Sequence, residues 1–291
     1  MKKIFTLLAV TIAFTINAQV QHIQTTITGS TSSSAIGYYT TASGSGTLAT
    51  GRDTKAIGSW STAMGYKSEA NGNQSIAMGN LSEANGSTSL AMGLQSYSNG
   101  DYSTAMGRFT EANGDSSTAM GYSSKANDWS SFVIGYYNLS GFTVTGSATS
   151  ANSANTLFVI GNGTFANRSD AFKVMANGDT TVSNDLTVGG DIVVSSDARL
   201  KANIVSLGST LAKLLLIDGK SYTMKKDGKQ KIGVLAQEIQ TVFPELVTTD
   251  DKDMLAVNYQ GLVPVLINAI KEQDDKISRL EKLVEKLISD K

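Results

Sequence analysis

The chain has 291 residues, with 24 basic and 25 acidic side chains and a formal net charge of −1, so nothing in it favours a nucleic-acid or anionic-membrane partner. The absence of cysteine and the single histidine, His22, exclude disulfides and thiolate chemistry and argue against a multi-histidine metal site or a Ser-His-Asp triad. Glycine is abundant at 28 residues while proline is held to two, Pro244 and Pro264, a balance that suits regularly repeated backbone turns better than a disordered linker.

Lys2 and Lys3 precede a mostly apolar run from Ile4 to Ile16, followed by Asn17, Ala18 and Gln19. A basic start, an apolar stretch and a small residue at the cut give the layout of a secretory signal peptide over residues 1–18, with cleavage after Ala18. The run is too short for a comfortable membrane span, and no later segment reaches the ~20 apolar residues one needs. The mature chain opens with a short segment, 19–31, and is expected to be secreted or displayed at the cell surface without a transmembrane segment.

Residues 32–137 are periodic. Gly37, Gly51, Gly65, Gly79, Gly93, Gly107, Gly121 and Gly135 stand fourteen apart, and Gly44, Gly58, Gly72, Gly86, Gly100 and Gly114 form a second series midway between them. Asp128 occupies the next place in the second series. Clear copies read STAMGYKSEANGN (61–73) and SIAMGNLSEANGS (75–87). Each half-repeat reads as a short strand closed by a glycine or Asn-Gly turn with φ > 0. Alternation within strands, as in Ala63-Met64 and Ala77-Met78, puts one residue of each pair inside and one outside. Such rungs make a β-solenoid, in which no rung buries its apolar face alone. Glu69, Glu83 and Glu111 recur at one position and read as a solvated stripe rather than a catalytic set.

The S-x-A-[MI]-G copies resemble the head repeats of trimeric autotransporter adhesins. That resemblance implies a trimeric left-handed β-roll in which three chains bury the Met and Ile rows, and it implies surface adhesion to a host or surface glycan or protein. No counterpart of that family's C-terminal membrane barrel is found, so what it implies here is an adhesin-like fibre, either a binder or a passive spacer.

The period lapses over residues 138–194, where LFVIGNGT (157–164) and AFKVMANGDTTVSNDLTVGGDIVV (171–194) are short β-type runs split by Asn-Gly and Gly-Gly turns. They suggest a β-rich connector, with Arg168 and Asp170 as solvated turn charges.

Composition changes again over residues 195–291: of the 49 charged residues, 29 lie in Asp197–Lys291. KIGVLAQEIQTVFPELV (231–247) has a strand-to-helix pattern ended by Pro244. The stretch 254–291 reads as one long helix if Pro264 lies near its first turn. Ile270, Ile277 and Val284 fall at heptad position a and Leu280 and Leu287 at d, with Gln273 the polar exception, giving a coiled coil over 266–288.

Ser196-Asp197-x-Arg199-x-Lys201, Asn203-Ile204, Gly233-Val234-x-Ala236-Gln237-Glu238, Phe243-Pro244-Glu245, Val257-Asn258-Tyr259 and Ala269-Ile270-Lys271-Glu272 together resemble the C-terminal intramolecular chaperone of phage tailspikes and endosialidases, a module also found in the myelin regulatory factor. The resemblance implies an α+β domain that trimerises, assists assembly of the fibre ahead of it and then cuts itself off, with Ser196 as nucleophile and Lys201 as general base. A buried lysine whose ammonium is disfavoured by desolvation is able to take the serine proton without histidine. The competing reading makes Ser196 an ordinary helix cap.

The leading reading is therefore a mainly β, secreted, homotrimeric adhesin-like fibre with a self-processing C-terminal domain: a single turnover per chain, no external substrate, no cofactor and no metal. The alternative is a phage-derived, tail-fibre-like protein that binds a surface glycan and keeps its C-terminal domain as a permanent trimerisation cap.

Overall fold

The computed structural model describes residues 26–27, 32–250 and 253–290; the proposed signal peptide lies outside them. The chain forms two compact units, one ending at Asp191 and the other beginning at Ile192.

In the first unit each repeat contributes a five-residue strand and a two-residue strand, as in Thr62–Tyr66 followed by Glu69–Ala70. The long strands stack in one sheet and the short ones in another. Neighbours run parallel with partners fourteen residues apart: Ala63 faces Ala77, Met64 faces Met78 and Gly65 faces Gly79. Between the sheets lie Ala63, Ala70, Ala77, Ala84 and Ala91, all fully buried, with Ser61, Ser68, Ser75 and Ser82 at the corners. Across these rungs the interior is filled by small side chains. A buried methyl contributes only ~0.8 kcal/mol, so stability must come from repetition of the ladder rather than from any one residue. The expected alternation is present: alanine points inward, while Met64, Met78, Met92, Met106 and Met120 form a half-buried row on the outer face of the long-strand sheet.

The second glycine series does stand in turns, as where Gly72 O accepts from Ser75 N at 3.3 Å, though without the expected positive φ; the first series does not. Gly65, at φ +116°, lies inside a long strand, and the left-handed corner positions belong to other residues, among them Lys67, Gln74, Leu81 and Thr88. A left-handed non-glycine residue costs roughly 1–2 kcal/mol. Each of these corners donates its N–H to the preceding rung, as Lys67 does to Arg52 O at 2.9 Å and Gln74 to Ser59 O at 2.7 Å. Gly72 serves a different need: a Cβ there would stand 1.9 Å from Gly86 O, so the rungs could not approach.

The glutamates are also corrected. Glu69 pairs with Lys55 at 2.6 Å and Glu111 with Lys125 at 2.7 Å, so two of the three are ion-paired, while Glu83 stacks on Glu69 in the part-exposed row. Beside them Asn71, Asn85, Asn99 and Asn113 hand one amide hydrogen bond up the rungs at 2.6–2.7 Å.

At the distal end the buried Asp128 replaces the serial glycine. Its carboxylate accepts the backbone N–H groups of Thr145 at 2.7 Å and Thr156 at 2.8 Å, as well as the Thr145 hydroxyl. The chain then makes an excursion over 137–155 and resumes the same sheet with Thr156–Asn162, parallel to Phe132–Tyr136, with Val159 facing Val133 and Gly161 facing Gly135. Asp170–Met175 and Thr180–Val182 finish the sheet antiparallel. The β-type pattern read to residue 194 therefore ends as strand at Val182; Ile192, Val193 and Val194 are exposed and outside any strand. Arg168 and Asp170 are not solvated turn charges. Arg168 is half-buried, donates to Ser123 O and Asn138 O, and lies 4.1 Å from the Phe142 ring centre. Its desolvation shifts its pKa below the usual arginine value. Asp170 accepts from the N–H groups of Leu139 and Ser140.

In the second unit the strands Lys220–Thr223 and Gln230–Gly233 pair antiparallel, the helix Ala236–Val242 follows, and Val247–Thr249 pairs with Leu255–Val257. The long helix runs over Leu262–Ser289, so Pro264 does sit in its first turn, whereas residues 255–261 form a strand and a 3-10 turn rather than helix. Ile239, Phe243, Leu246 and Val265 make a small core. The heptad residues Ile270, Ile277, Leu280, Val284 and Leu287 are exposed along one chain.

Candidate functional site

Ser196 precedes the extended Asp197, which leads into one turn of 3-10 helix, Ala198–Leu200. That turn is capped by Asp197, whose side chain accepts the Arg199 N–H at 2.8 Å. The capping reading of Ser196 thus fails because its neighbour holds the cap. Asp197 also grips the Arg199 guanidinium, with Nη2 to Oδ2 at 2.7 Å and Nε to Oδ1 at 3.1 Å. The guanidinium first, and the Arg199 N–H second, hold the Asp197 carboxyl below its usual range.

The turn closes when Lys201 N–H reaches Ala198 O at 3.1 Å, and the chain leaves it extended. Two extended flanks around one tight turn bring positions five apart together. Lys201 Nζ lies 2.7 Å from Ser196 Oγ and donates to it. Among the described residues the lysine has no carboxylate partner, because Asp197 is committed to Arg199. For the serine to lose its proton this lysine must first lose one of its own. The buried lysine expected from the sequence is not found within one chain: Ser196 and Lys201 are both exposed.

Further residues of the motif make local contacts within the C-terminal unit. A Cβ on Gly233 would stand 2.8 Å from the Tyr259 hydroxyl, which accepts the Val234 N–H at 3.2 Å. Glu238 pairs with Lys220 at 3.2 Å, and Asn258 Oδ1 accepts from Gly261 N at 3.1 Å. Sequence reasoning did not find the organising role of Asp197; its signal was the Asp-x-Arg spacing, which suits a carboxylate to both a turn N–H and a guanidinium.

Comparison with known proteins follows the same division. Residues 30–54, 56–82, 84–110 and 112–138 match the family model described as the YadA head domain repeat. Residues 196–248 match the one described as the chaperone of endosialidase. Among curated proteins, the chain is similar to the long tail fiber protein Gp37 of Escherichia phage AR1, 36% identical over 92 residues, covering 28% of this chain and 8% of that protein. Gp37 of Salmonella phage S16 is 32% identical over 108 residues, covering 33% of this chain and 14% of the relative. Gp37 of Enterobacteria phage Ox2 is 29% identical over 101 residues, covering 31% and 40%. The chain spans less than half the length of these relatives. The chain thus joins repeats similar to the YadA head repeat to a C-terminal stretch, 196–248, similar to the chaperone of endosialidase.

Proposed function

We propose that the chain is exported by way of residues 1–18 and assembles as a homotrimeric, adhesin-like surface fibre. In this reading the C-terminal domain aligns three chains and then releases itself. The fibre is supported by the outer methionine row, by the exposed heptad residues of Leu262–Ser289 and by the joining of head repeats to a chaperone-type module. No helix among the described residues is long and apolar enough to cross a membrane.

The contact of 2.7 Å between Lys201 Nζ and Ser196 Oγ carries the self-processing step. Packing against neighbouring chains would desolvate Lys201 and favour its neutral amine. That amine takes the hydroxyl proton as Oγ adds to the Ser195 carbonyl carbon through a five-membered ring. The Ser195–Ser196 C–N bond breaks, the proton passes to the departing nitrogen, and an ester links Ser195 to Ser196 Oγ. Water then hydrolyses the ester, so one peptide bond and one water become a carboxylate and an amine, once per chain. Loss of the guiding domain leaves the fibre kinetically trapped.

Expression of residues 19–291 beside Ser196→Ala tests this. Two fragments in the parent and full-length chain alone in the variant, by denaturing gel and intact mass, are expected. An uncut parent that is still trimeric would favour the second reading, to which the exposure of Lys201 already lends weight: a permanent trimerisation cap on a glycan-binding, tail-fibre-like protein.

A further inference from the structure

The excursion over 137–155 is not needed to continue the solenoid, because Thr156–Asn162 resumes the sheet in register with Phe132–Tyr136. It is nevertheless held firmly. Asp128 grips Thr145, Asn155 Oδ1 accepts from Ser147 N at 2.7 Å, Asn155 Nδ2 donates to Ser150 O at 3.1 Å, and Trp129 N donates to Ser147 O at 2.8 Å. A braced loop on a rigid scaffold is the usual place for a binding site.

Between this loop and the sheet end lies a cleft of about 330 Å³, within the size range of small-ligand sites. Trp129, Leu157 and Ala176 line it with mostly apolar surface, and Asn152 and Ser153, also lining it, are exposed. Asn152 Oδ1 is taken by Ala154 N–H. Its amide nitrogen and the Ser153 hydroxyl are engaged by no other described residue. No charged residue lines the cleft.

The geometry points to a binding site for a single hexopyranose ring of a neutral glycan, with one sugar face on Trp129 and its hydroxyls on Asn152 and Ser153. An indole wall suits the C–H face of a pyranose, an amide and a hydroxyl suit its rim, and the uncharged lining discriminates against uronic acids. This gives the adhesive reading above a ligand class and a place, and it rests on that reading for its role at a surface.

The chain has two tryptophans, Trp60 and Trp129, so Trp60→Phe leaves Trp129 as the reporter in the full chain from residue 19. This protein is titrated with the methyl glycosides of glucose, galactose, mannose, N-acetylglucosamine and N-acetylgalactosamine, and with methyl glucuronide. A saturable change in emission with at least one neutral glycoside is expected, with Kd of order 1 mM for so shallow a site. Ala151→Arg, which fills the cleft from an exposed position, should abolish it, and Ser153→Ala should weaken it several-fold. Flat titrations with every neutral glycoside, a response to the glucuronide alone, or binding that survives Ala151→Arg would each overturn the site. A trimeric fibre that fails to bind sugar defeats only the cleft; a monomeric chain that binds it defeats the fibre and keeps the cleft.

Discussion

The Glu272 carboxylate, on the long C-terminal helix, accepts the backbone N–H of Thr210, 62 residues earlier in the chain. Ser209 Oγ adds a bond at 2.8 Å, with Leu211 N and Thr210 Oγ1 at 3.2 Å each. One carboxylate thus anchors the start of the helical turn Leu211–Leu214 to the long helix.

These donors, the Thr210 N–H first and the Ser209 hydroxyl next, lower the Glu272 pKa from 4.5 to about 2. A depressed carboxyl contributes stability that is complete above its unfolded value and is lost as pH falls through the folded one. In the parent chain this contribution should persist down to about pH 4.5 and vanish by about pH 2. Glu272→Gln should be less stable at neutral pH and should lose this part of the acid transition. Denaturant midpoints read from the helical circular dichroism at several pH values decide it; parallel curves for parent and variant would refute the anchor.

Substitutions of Gly72 and Met78 should separate rung stacking from chain association. Gly72→Ala drives a methyl into the Gly86 carbonyl, which is backbone and has no rotamer by which to yield. A loss of about 3 kcal/mol in solenoid stability is expected, seen as a lower melting temperature. Met78→Ala removes a half-buried outer side chain and should leave the fold of one chain nearly intact while weakening association in sedimentation experiments. If Met78→Ala leaves the trimer unchanged, the outer row is not a packing face.

Asp128→Ala should release the excursion. The carboxylate satisfies the N–H groups of Thr145 and Thr156 in a buried setting. Leaving them unpaired should cost about 1–3 kcal/mol. Limited proteolysis is expected to begin within 137–155 in the variant and to spare that loop in the parent; equal resistance would show that Asp128 is not what pins it.

The legible and illegible parts of the fold divide along physical lines. Ala63 and Met64 announce their faces because side-chain direction in a strand follows a period of two. The left-handed corners at Lys67, Leu81 and Phe109 carry no mark in the sequence, since their conformation is compensated by a hydrogen bond to the previous rung rather than by residue choice. Asp128 was visible as a missing glycine, but its partners lie 17 and 28 residues away, beyond any local pattern. Arg168 and Asp170 carry no local sign of their partners for the same reason: Ser123, Asn138, Leu139 and Ser140 are 30 or more residues away. Ser196 and Lys201 are named by resemblance alone; their five-residue spacing spans a turn that Asp197 caps and that the Lys201 N–H closes on Ala198 O.

The fourteen-residue register has a consequence for how three such chains would find one another. Met64 beside Met78 beside Met92 repeats one outer surface at every rung, so a neighbour displaced by one whole repeat would meet nearly the same surface. A stack of equal steps has no marked zero. The marks are the irregular places: Asp128 with its loop, and the C-terminal unit from Ile192 onward. A fibre aligned from that end would have its frame set before the repeats meet, and a repeat region expressed without it should populate staggered assemblies.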